Sequence, residues 1–254
     1  MSETNLFDTH KTAINCWLTS PCAVTTELIA HQGFDTLTID MQHGLIDYPA
    51  ALSMLQAMAA TSVTPLVRVP WLEPGIIMKM LDAGAMGIIC PMIETPEQTR
   101  EFISYCYYPP AGHRSYGPFR AALCHGEDYP AQANHQVMPI VMIETRQALD
   151  NLDKILQEPG LGGVYIGPFD LSYALGCTPQ PDNYEPPVLE AIDHILARCQ
   201  HFSIPAAIHC ITARHAVKMR NKGFSLVTAG MDVNFIKTGT GHTLRIWSED
   251  DKRP

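Results

Sequence analysis

Two acidic residues stand where alternating strands and helices could bring them together. Glu144 ends the apolar segment 139–144, and Asp170 lies three residues beyond the next one, 163–167. At adjacent strand ends the two carboxylates would repel each other and lose hydration unless a cation joined them. Mg²⁺ or Mn²⁺, which prefer oxygen ligands, would relieve both costs. The alternative is that each carboxylate caps the following helix, because acidic side chains favour helix N-termini.

His43 and Arg68 follow two earlier apolar segments and could add a base and a cation to the same site. Histidine titrates near neutral pH, which makes His43 a candidate general base. Its alternative is a ring that hydrogen-bonds to loop backbone. Arg68 could bind a carboxylate or a developing oxyanion. The alternative there is an ion pair with a neighbouring acid such as Asp40.

A further group of charged residues lies in segment 107–138, which is rich in Pro, Gly, His and aromatic residues. We predict a long loop, and loops of this length in a compact domain are usually functional. Its Arg114 and Arg120 could grip an anionic substrate or anchor the loop itself.

The positions of the lysines indicate which chemistry to exclude. A Schiff-base mechanism needs a buried lysine that reaches the site. Every lysine instead falls in a predicted helix, terminus or loop away from the strand ends: Lys11, Lys79, Lys154, Lys218, Lys222, Lys237 and Lys252. Carbanion chemistry at this site would therefore need a metal as the electrophile.

Eight short apolar segments must position these residues. Their continuous apolar runs are typical of parallel strands buried on both faces. Helical segments separate them, so we predict a (β/α)₈ TIM barrel formed by one domain, 1–254. An open doubly wound sheet is the alternative, but no GxGxxG motif follows the first strand. The predicted strands are 14–20, 35–40, 64–69, 86–92, 139–144, 163–167, 204–209 and 224–229.

The composition excludes several classes of partner. The chain has 254 residues and a formal net charge of −9, without a basic stripe, which argues against a nucleic-acid partner. No apolar run is long enough to cross a membrane, and the start of the chain has no signal-peptide pattern. The eight cysteines include no CxxC pair. We expect a cytoplasmic protein with reduced thiols.

The motifs around these residues resemble the HpcH/HpaI aldolase family of class II pyruvate aldolases. The matching segments occur in the family's order along nearly the whole predicted barrel. They are DMQHG (40–44), RVP (68–70), LDAGAMGIICPMIETPEQ (81–98), PPAGHRSYGPFRA (109–121), PIVMIET (139–145) and GVYIGPFDLSYALG (163–176).

The resemblance implies a role for each candidate. Glu144 and Asp170 would hold a divalent metal ion (Mg²⁺, Mn²⁺ or Co²⁺), and Arg68 would stabilise the enolate of pyruvate. His43, made more basic by Asp82, would relay the proton of the aldol hydroxyl. Backbone amides of the turn that contains Gly167 would receive the substrate carboxylate.

The implied reaction is the cleavage or formation of a 4-hydroxy-2-oxo acid from pyruvate and a small aldehyde, in aromatic or sugar acid catabolism. A lyase or decarboxylase that forms the same enolate from oxaloacetate-like acids is an alternative. A non-catalytic barrel module is a third, against which the complete set of His43, Arg68, Glu144 and Asp170 argues.

Two positions depart from the family's usual residues. Met142 stands where glutamine is common, and Phe169 stands where a small residue is common. Both changes make the substrate pocket narrower or more apolar, so we expect a preference for small or less polar aldehydes.

The resemblance also implies a homo-oligomer, namely a hexamer built from dimers that exchange a C-terminal helix. Segment 232–250 could be that helix, because its apolar residues need a partner. Packing on the chain's own barrel is the alternative. The implied contact between Asp82 and His43 is unexplained, because Asp82 ends a predicted helix that runs away from the barrel mouth.

Overall fold

Eight parallel strands close into a barrel in the computed structural model, which describes residues 11–250. Each strand pairs with the next one along the chain, and β8 returns to β1. The predicted (β/α)₈ barrel is therefore confirmed. The strands are β1 (Ala13–Leu18), β2 (Thr36–Asp40), β3 (Thr64–Arg68), β4 (Gly87–Cys90), β5 (Met138–Ile143), β6 (Gly163–Ile166), β7 (Ala206–His209) and β8 (Leu226–Met231).

Twelve helices lie within the described residues, and most of them surround the barrel. They are α1 (Ala23–Ala30), α2 (Tyr48–Met58), α3 (Pro74–Asp82), α4 (Pro96–Cys106), α5 (Phe119–His125), α6 (Tyr129–Gln136), α7 (Arg146–Asp150), α8 (Leu152–Leu156), α9 (Pro168–Ala174), α10 (Pro186–Phe202), α11 (Ala213–Lys222) and α12 (Asp232–Asp250).

The helix boundaries follow the local chemistry of the sequence. Thr95 caps α4 by accepting a hydrogen bond from the Gln98 N–H, and the Gln98 side chain accepts one in return from the Thr95 N–H. This capping box satisfies backbone donors that the first turn would leave unpaired. After α11 the chain turns at Gly223 with a φ of +105°, a conformation that glycine adopts without the clash of a Cβ atom.

The expected loop over 107–138 is wrong, because it contains α5 and α6. Both helices are short, and residues such as Phe119 and Leu123 stay exposed, so the segment lacks a clear amphipathic pattern. Segment 107–137 follows α4 and precedes β5, which places it at the N-terminal end of the barrel.

One group of buried polar side chains lies within the largely apolar barrel interior. Asn15 accepts hydrogen bonds at Oδ1 from the hydroxyls of Thr36 (2.7 Å) and Thr38 (3.0 Å). Its Nδ2 donates to Thr228 Oγ1 at 2.8 Å. All four residues are fully buried. Apolar residues from several strands fill the rest of the interior: Ala13, Trp17, Leu66, Ile89, Met138, Ile140, Met142, Tyr165, Ala207 and Leu226.

The C-terminal helix α12 lies largely outside the barrel. Its Phe235 ring stacks on Phe34 with centroids 6.3 Å apart, so the first turns contact the body of the chain. Farther along, Leu244 and Trp247 are 67% and 71% exposed, which is unusual for large apolar side chains. The predicted helix is therefore present, but packing on the chain's own barrel does not cover its distal half. Within residues 11–250, no helix combines the length and apolarity that a membrane span requires.

Asn15 supplies a test of the polar group in the barrel. We expect Asn15→Ala to lower the free energy of unfolding by about 2–4 kcal/mol, because it leaves buried hydroxyls without their partner and opens a small cavity. Urea unfolding followed by circular dichroism measures the change. Asn221→Ala, at an exposed position of α11, is the control and should stay within about 0.5 kcal/mol of wild type. Equal stability of both variants would contradict the role of Asn15.

Candidate active site

Glu144 is buried at the C-terminal end of β5 with half of its carboxylate unsatisfied. Its Oε1 accepts a hydrogen bond from the Met92 N–H at 2.9 Å. Its Oε2 is enclosed and has no hydrogen-bond partner within the described residues. Burial raises the pKa of Glu144 to about 7, and the negative charge of Asp170 adds to this rise, although the Met92 N–H opposes it. Such a carboxylate needs a positive partner.

Gly167 makes room for that carboxylate. A Cβ atom at this position would lie 2.4 Å from Glu144 Oε2 and 2.9 Å from Met142 Cε, closer than unbonded atoms can approach. Gly167 is also the N-cap residue of α9, and the exposed Asp170 lies in the first turn of that helix. Glycine thus lets the turn before α9 pack directly on the buried carboxylate.

The two carboxylates are candidate ligands for a metal ion. Within residues 11–250, no group of three His, Cys, Asp or Glu side chains could hold an ion. Glu144 and Asp170 could supply two oxygen ligands, the ligand type that Mg²⁺ and Mn²⁺ prefer. The alternative that Glu144 caps a helix is wrong, since Thr145 is the cap of α7. Asp170 does lie in a first helical turn, as the alternative expected, and its role as a metal ligand stays a prediction.

Arg68 at the end of β3 is held by a bidentate ion pair with Asp40. Its Nε donates to Asp40 Oδ1 at 2.9 Å, and its Nη2 donates to Asp40 Oδ2 at 2.7 Å. The guanidinium carbon lies 5.0 Å from the centre of the Trp17 ring. The remaining Nη1 lies 4.0 Å from the sulfur of Met142. The ion pair expected as an alternative is therefore present, and it leaves Nη1 unused by Asp40.

Asp40 accepts three more hydrogen bonds and organises one edge of the barrel mouth, which is the end of the barrel where the strands have their C-termini. They come from Trp17 Nε1 (3.1 Å), Gln42 N (3.0 Å) and His43 N (3.3 Å). Burial alone would raise the pKa of Asp40, but the hydrogen bonds and charge of Arg68 outweigh it and keep this pKa below its ordinary value. Asp40 is therefore ionised and acts as a structural anion.

His43 lies in the loop after β2, and its side chain is exposed. The ring has no hydrogen-bond partner among residues 11–250, whereas the backbone around it is firmly held. Leu45 N donates to Thr19 O at 2.9 Å, and the Thr19 and Ser20 N–H groups donate to the Asp232 carboxylate at 2.8–3.1 Å. The structure thus gives His43 a fixed backbone and a free imidazole at the mouth.

Asp82 does not meet His43 within one chain. It is the last residue of α3, at the opposite end of the barrel from the strand ends that carry Glu144 and Arg68. Its Oδ1 instead accepts a hydrogen bond from Arg114 Nη2 at 2.8 Å. A role beside His43 would need an Asp82 from another copy of the chain.

Arg114 and Arg120 also lie at that far end, which corrects the expectation that they grip substrate at the chain's own mouth. Arg114 is buried and stacks on Tyr108 at 4.4 Å, in addition to its pairing with Asp82. Arg120 donates to the backbone oxygens of Ala83 and Leu55. The anchoring alternative is therefore the one that the structure bears out.

Met142 and Phe169 occupy different levels of the mouth. Met142 is 2% exposed and lies between Arg68 and Gly167. Phe169 is partly exposed in the first turn of α9. Met142 thus forms an apolar floor between the arginine and the turn, whereas Phe169 borders the entrance.

An aromatic group accompanies these residues, and no motif of the sequence indicated it. His209 at the end of β7 packs edge-on against Trp17, with ring centroids 5.0 Å apart. Its Nδ1 lies 3.4 Å from the hydroxyl of Tyr165. Burial, together with the positive charge of Arg68, lowers the pKa of His209 to about 4, so the ring is neutral near pH 7.

Comparison with known proteins supports the resemblance seen in the motifs. The model of the HpcH/HpaI aldolase/citrate lyase family matches residues 13–238. This chain belongs to that family. Its members form or cleave carbon–carbon bonds, and they include proteins that this chain matches over most of its length.

Three such members illustrate the similarity. A hydroxypyruvate/pyruvate aldolase of Rhizorhabdus wittichii is 40% identical over 87% of this chain and 88% of its own length. A 5-keto-4-deoxy-D-glucarate aldolase of Escherichia fergusonii is 34% identical over 91% and 90%. The crystal structure of a family member from Burkholderia cenocepacia has a TM-score of 0.89 at 31% identity, over 96% and 97% of the two chains.

The lowered pKa of His209 predicts an effect of acid on stability. Unfolded histidine binds a proton below about pH 6.5, whereas folded His209 resists protonation down to about pH 4. Stability is therefore lost as the pH falls through this window, by up to about 3 kcal/mol from this residue. We expect His209→Gln to lose less stability than wild type between pH 7.5 and pH 5.

Thermal and urea unfolding at both pH values test this expectation. His31→Gln, at an exposed position after α1, is the control and should follow wild type. An acid-induced loss of the same size in wild type and His209→Gln would contradict the assignment of a ring that stays neutral in the folded protein.

Proposed function

We propose that this chain is a metal-dependent aldolase that cleaves or forms 4-hydroxy-2-oxo acids through the enolate of pyruvate or hydroxypyruvate. The observation that carries the proposal is the enclosed, unpartnered Oε2 of Glu144, close enough to Asp170 for the charge of Asp170 to raise the pKa of Glu144. Membership of a metal-dependent family supports it, as do the names of the two aldolases that are 40% and 34% identical.

Glu144 and Asp170 would hold the divalent metal ion. When bound, the ion supplies positive charge that offsets the negative charge developing on the substrate as its carbon–carbon bond breaks. The Met92 N–H keeps Glu144 in place by holding Oε1 and leaving Oε2 available. No other described side chain satisfies Oε2, so the fit rests on the chain's own geometry.

Arg68 would stabilise the enolate oxygen through the part of the guanidinium that Asp40 does not use. The bidentate pairing fixes the plane of the group, so little conformational entropy is lost when a substrate oxygen binds. Backbone N–H groups in the first turn of α9, next to Gly167, would receive the carboxylate, because the first N–H groups of a helix have no intrahelical partner.

His43 would take the proton from the aldol hydroxyl, because its ring is free at the mouth. Asp82 of a neighbouring copy would then raise the basicity of His43, which requires an oligomer. The exposed apolar residues on the distal half of α12 support such an assembly, which we propose to be a hexamer built as a trimer of dimers that exchange this helix.

Met142 and Phe169 would limit the aldehyde. A thioether donates no hydrogen bond, so the floor of the mouth offers the distal part of a polar aldehyde little recognition. We therefore propose small aldehydes as acceptors in place of dicarboxylic or extensively hydroxylated ones.

Removal of the metal ion tests the central claim. Chelation should abolish pyruvate release, and Mg²⁺, Mn²⁺ or Co²⁺ should restore it. The ions should also raise the melting temperature of metal-free wild type, because a ligand that binds only the folded state stabilises it. Glu144→Gln and Asp170→Asn should each weaken metal binding at least about 100-fold, since even outer-shell changes cost roughly 10–100-fold.

Asp150→Asn is a matched control, because it removes one exposed carboxylate at the end of α7. It should bind metal as wild type does. Full activity of a protein whose metal content is shown to be negligible would overturn the mechanism.

His43→Ala separates two reactions that share the enolate. Aldol cleavage requires a base for the hydroxyl and should slow by roughly 10²–10⁴-fold. Decarboxylation of oxaloacetate releases no hydroxyl proton and should slow much less. Steady-state kinetics of both reactions, with His31→Ala as the exposed-histidine control, measure the difference. Equal losses in both reactions at unchanged metal affinity would rule out His43 as the base.

A further inference from the structure

His209 has a position at the mouth that the proposed mechanism does not use. It ends β7, and its ring lies between Trp17, which it contacts edge-on, and the Tyr165 hydroxyl, which faces Nδ1. Its Nε2 has no hydrogen-bond partner within residues 11–250. Within that range the protein does not enclose this atom, so solvent reaches it.

The buried polar group below His209 fixes which of its nitrogens carries the hydrogen. The hydroxyls of Thr36 and Thr38 both donate to Asn15 Oδ1, so the Asn15 amide must present Nδ2 to Thr228. Thr228 Oγ1 thus accepts one hydrogen bond from Asn15. Its own hydrogen needs a different acceptor.

Tyr165 is that acceptor, because its hydroxyl oxygen lies 2.6 Å from Thr228 Oγ1 and no other described group is available. The Tyr165 hydroxyl hydrogen must then point to His209 Nδ1, 3.4 Å away. In the reverse arrangement the buried Thr228 hydrogen would have no partner, which costs free energy. The neutral His209 ring therefore carries its hydrogen on Nε2.

The resulting N–H is a fixed donor on the open side of the ring. The two ring nitrogens point away from each other, so Nε2 faces away from Tyr165 and the barrel core. Arg68 lies near enough to act on the charge of His209, which places this donor at the same mouth as the arginine. Met142 offers no comparable donor.

We infer that His209 is a specificity-determining residue whose Nε2–H donates a hydrogen bond to a hydroxyl oxygen of a hydroxylated substrate. The hydroxyl belongs either to the enolate-forming acid, as in hydroxypyruvate, or to an α-hydroxy aldehyde acceptor. The inference rests on the proposed aldolase function. An apolar substrate of the same size would bury the N–H without a partner, so the pocket selects for the hydroxyl.

Two isosteric substrate pairs test the inference and separate the two sources of the hydroxyl. Hydroxypyruvate and 2-oxobutanoate differ by hydroxyl against methyl in the acid, with one fixed acceptor aldehyde. Glycolaldehyde and propanal differ in the same way in the aldehyde, with pyruvate as the acid. The ratio of kcat/KM within each pair is measured in wild type and variants, so that a general loss of activity cancels.

Wild type should prefer the hydroxylated member of one pair, and His209→Phe, which keeps a planar ring, should reduce that preference about tenfold. His209→Gln retains an N–H near the position of Nε2 and should keep most of it. Tyr165→Phe leaves His209 in place but removes the hydroxyl that fixes its hydrogen, so it should lower the preference as well. His209→Leu replaces His209→Phe if the latter does not fold.

Unchanged ratios in His209→Phe or His209→Leu would overturn the inference, as would equal losses in His209→Phe and His209→Gln. Exchange of the pyruvate methyl hydrogens for deuterium, followed by NMR in wild type, separates this failure from that of the proposed function. Absence of metal-dependent exchange would overturn the proposed function and the inference with it. Exchange with unaltered selectivity would overturn the inference alone.

Discussion

The buried ion pair between Asp40 and Arg68 is the interaction on which the barrel mouth depends. Burying either charge alone would cost several kcal/mol, but here two parallel hydrogen bonds join them. Asp40 also binds Trp17 and the backbone that leads to His43. One carboxylate therefore fixes a cation, an aromatic wall and the start of the His43 loop.

Glu144 is buried to a similar degree as Asp40 but in the opposite electrostatic situation. Asp40 is saturated with donors and its pKa is lowered, whereas Glu144 has one N–H partner and its pKa rises to about 7. Because of this difference, the two carboxylates have different roles. A saturated carboxylate has no capacity left for a ligand and serves the structure, and an unsatisfied one can bind a cation.

The sequence predicted the barrel because its strands are buried on both faces and therefore read as continuous apolar runs. Their C-terminal ends then placed Arg68, Glu144 and Asp170 together. The sequence could not predict pairings between side chains. Apolar runs do not show that Asp82 binds Arg114, or that the Met92 N–H holds Glu144. His209 ends a predicted strand, but the sequence could not show its role, because that role depends on the buried network below, which joins residues far apart in the chain.

Gly167 has a consequence for how substrate range can diverge within this fold. A side chain there would meet the ends of the Glu144 and Met142 side chains, so it would displace the carboxylate from the position that leaves Oε2 available. Substitutions at Met142 on β5 and His209 on β7 leave this carboxylate in place. Changes in specificity at these two walls of the mouth therefore disturb the centre of the site less than a change at Gly167 does.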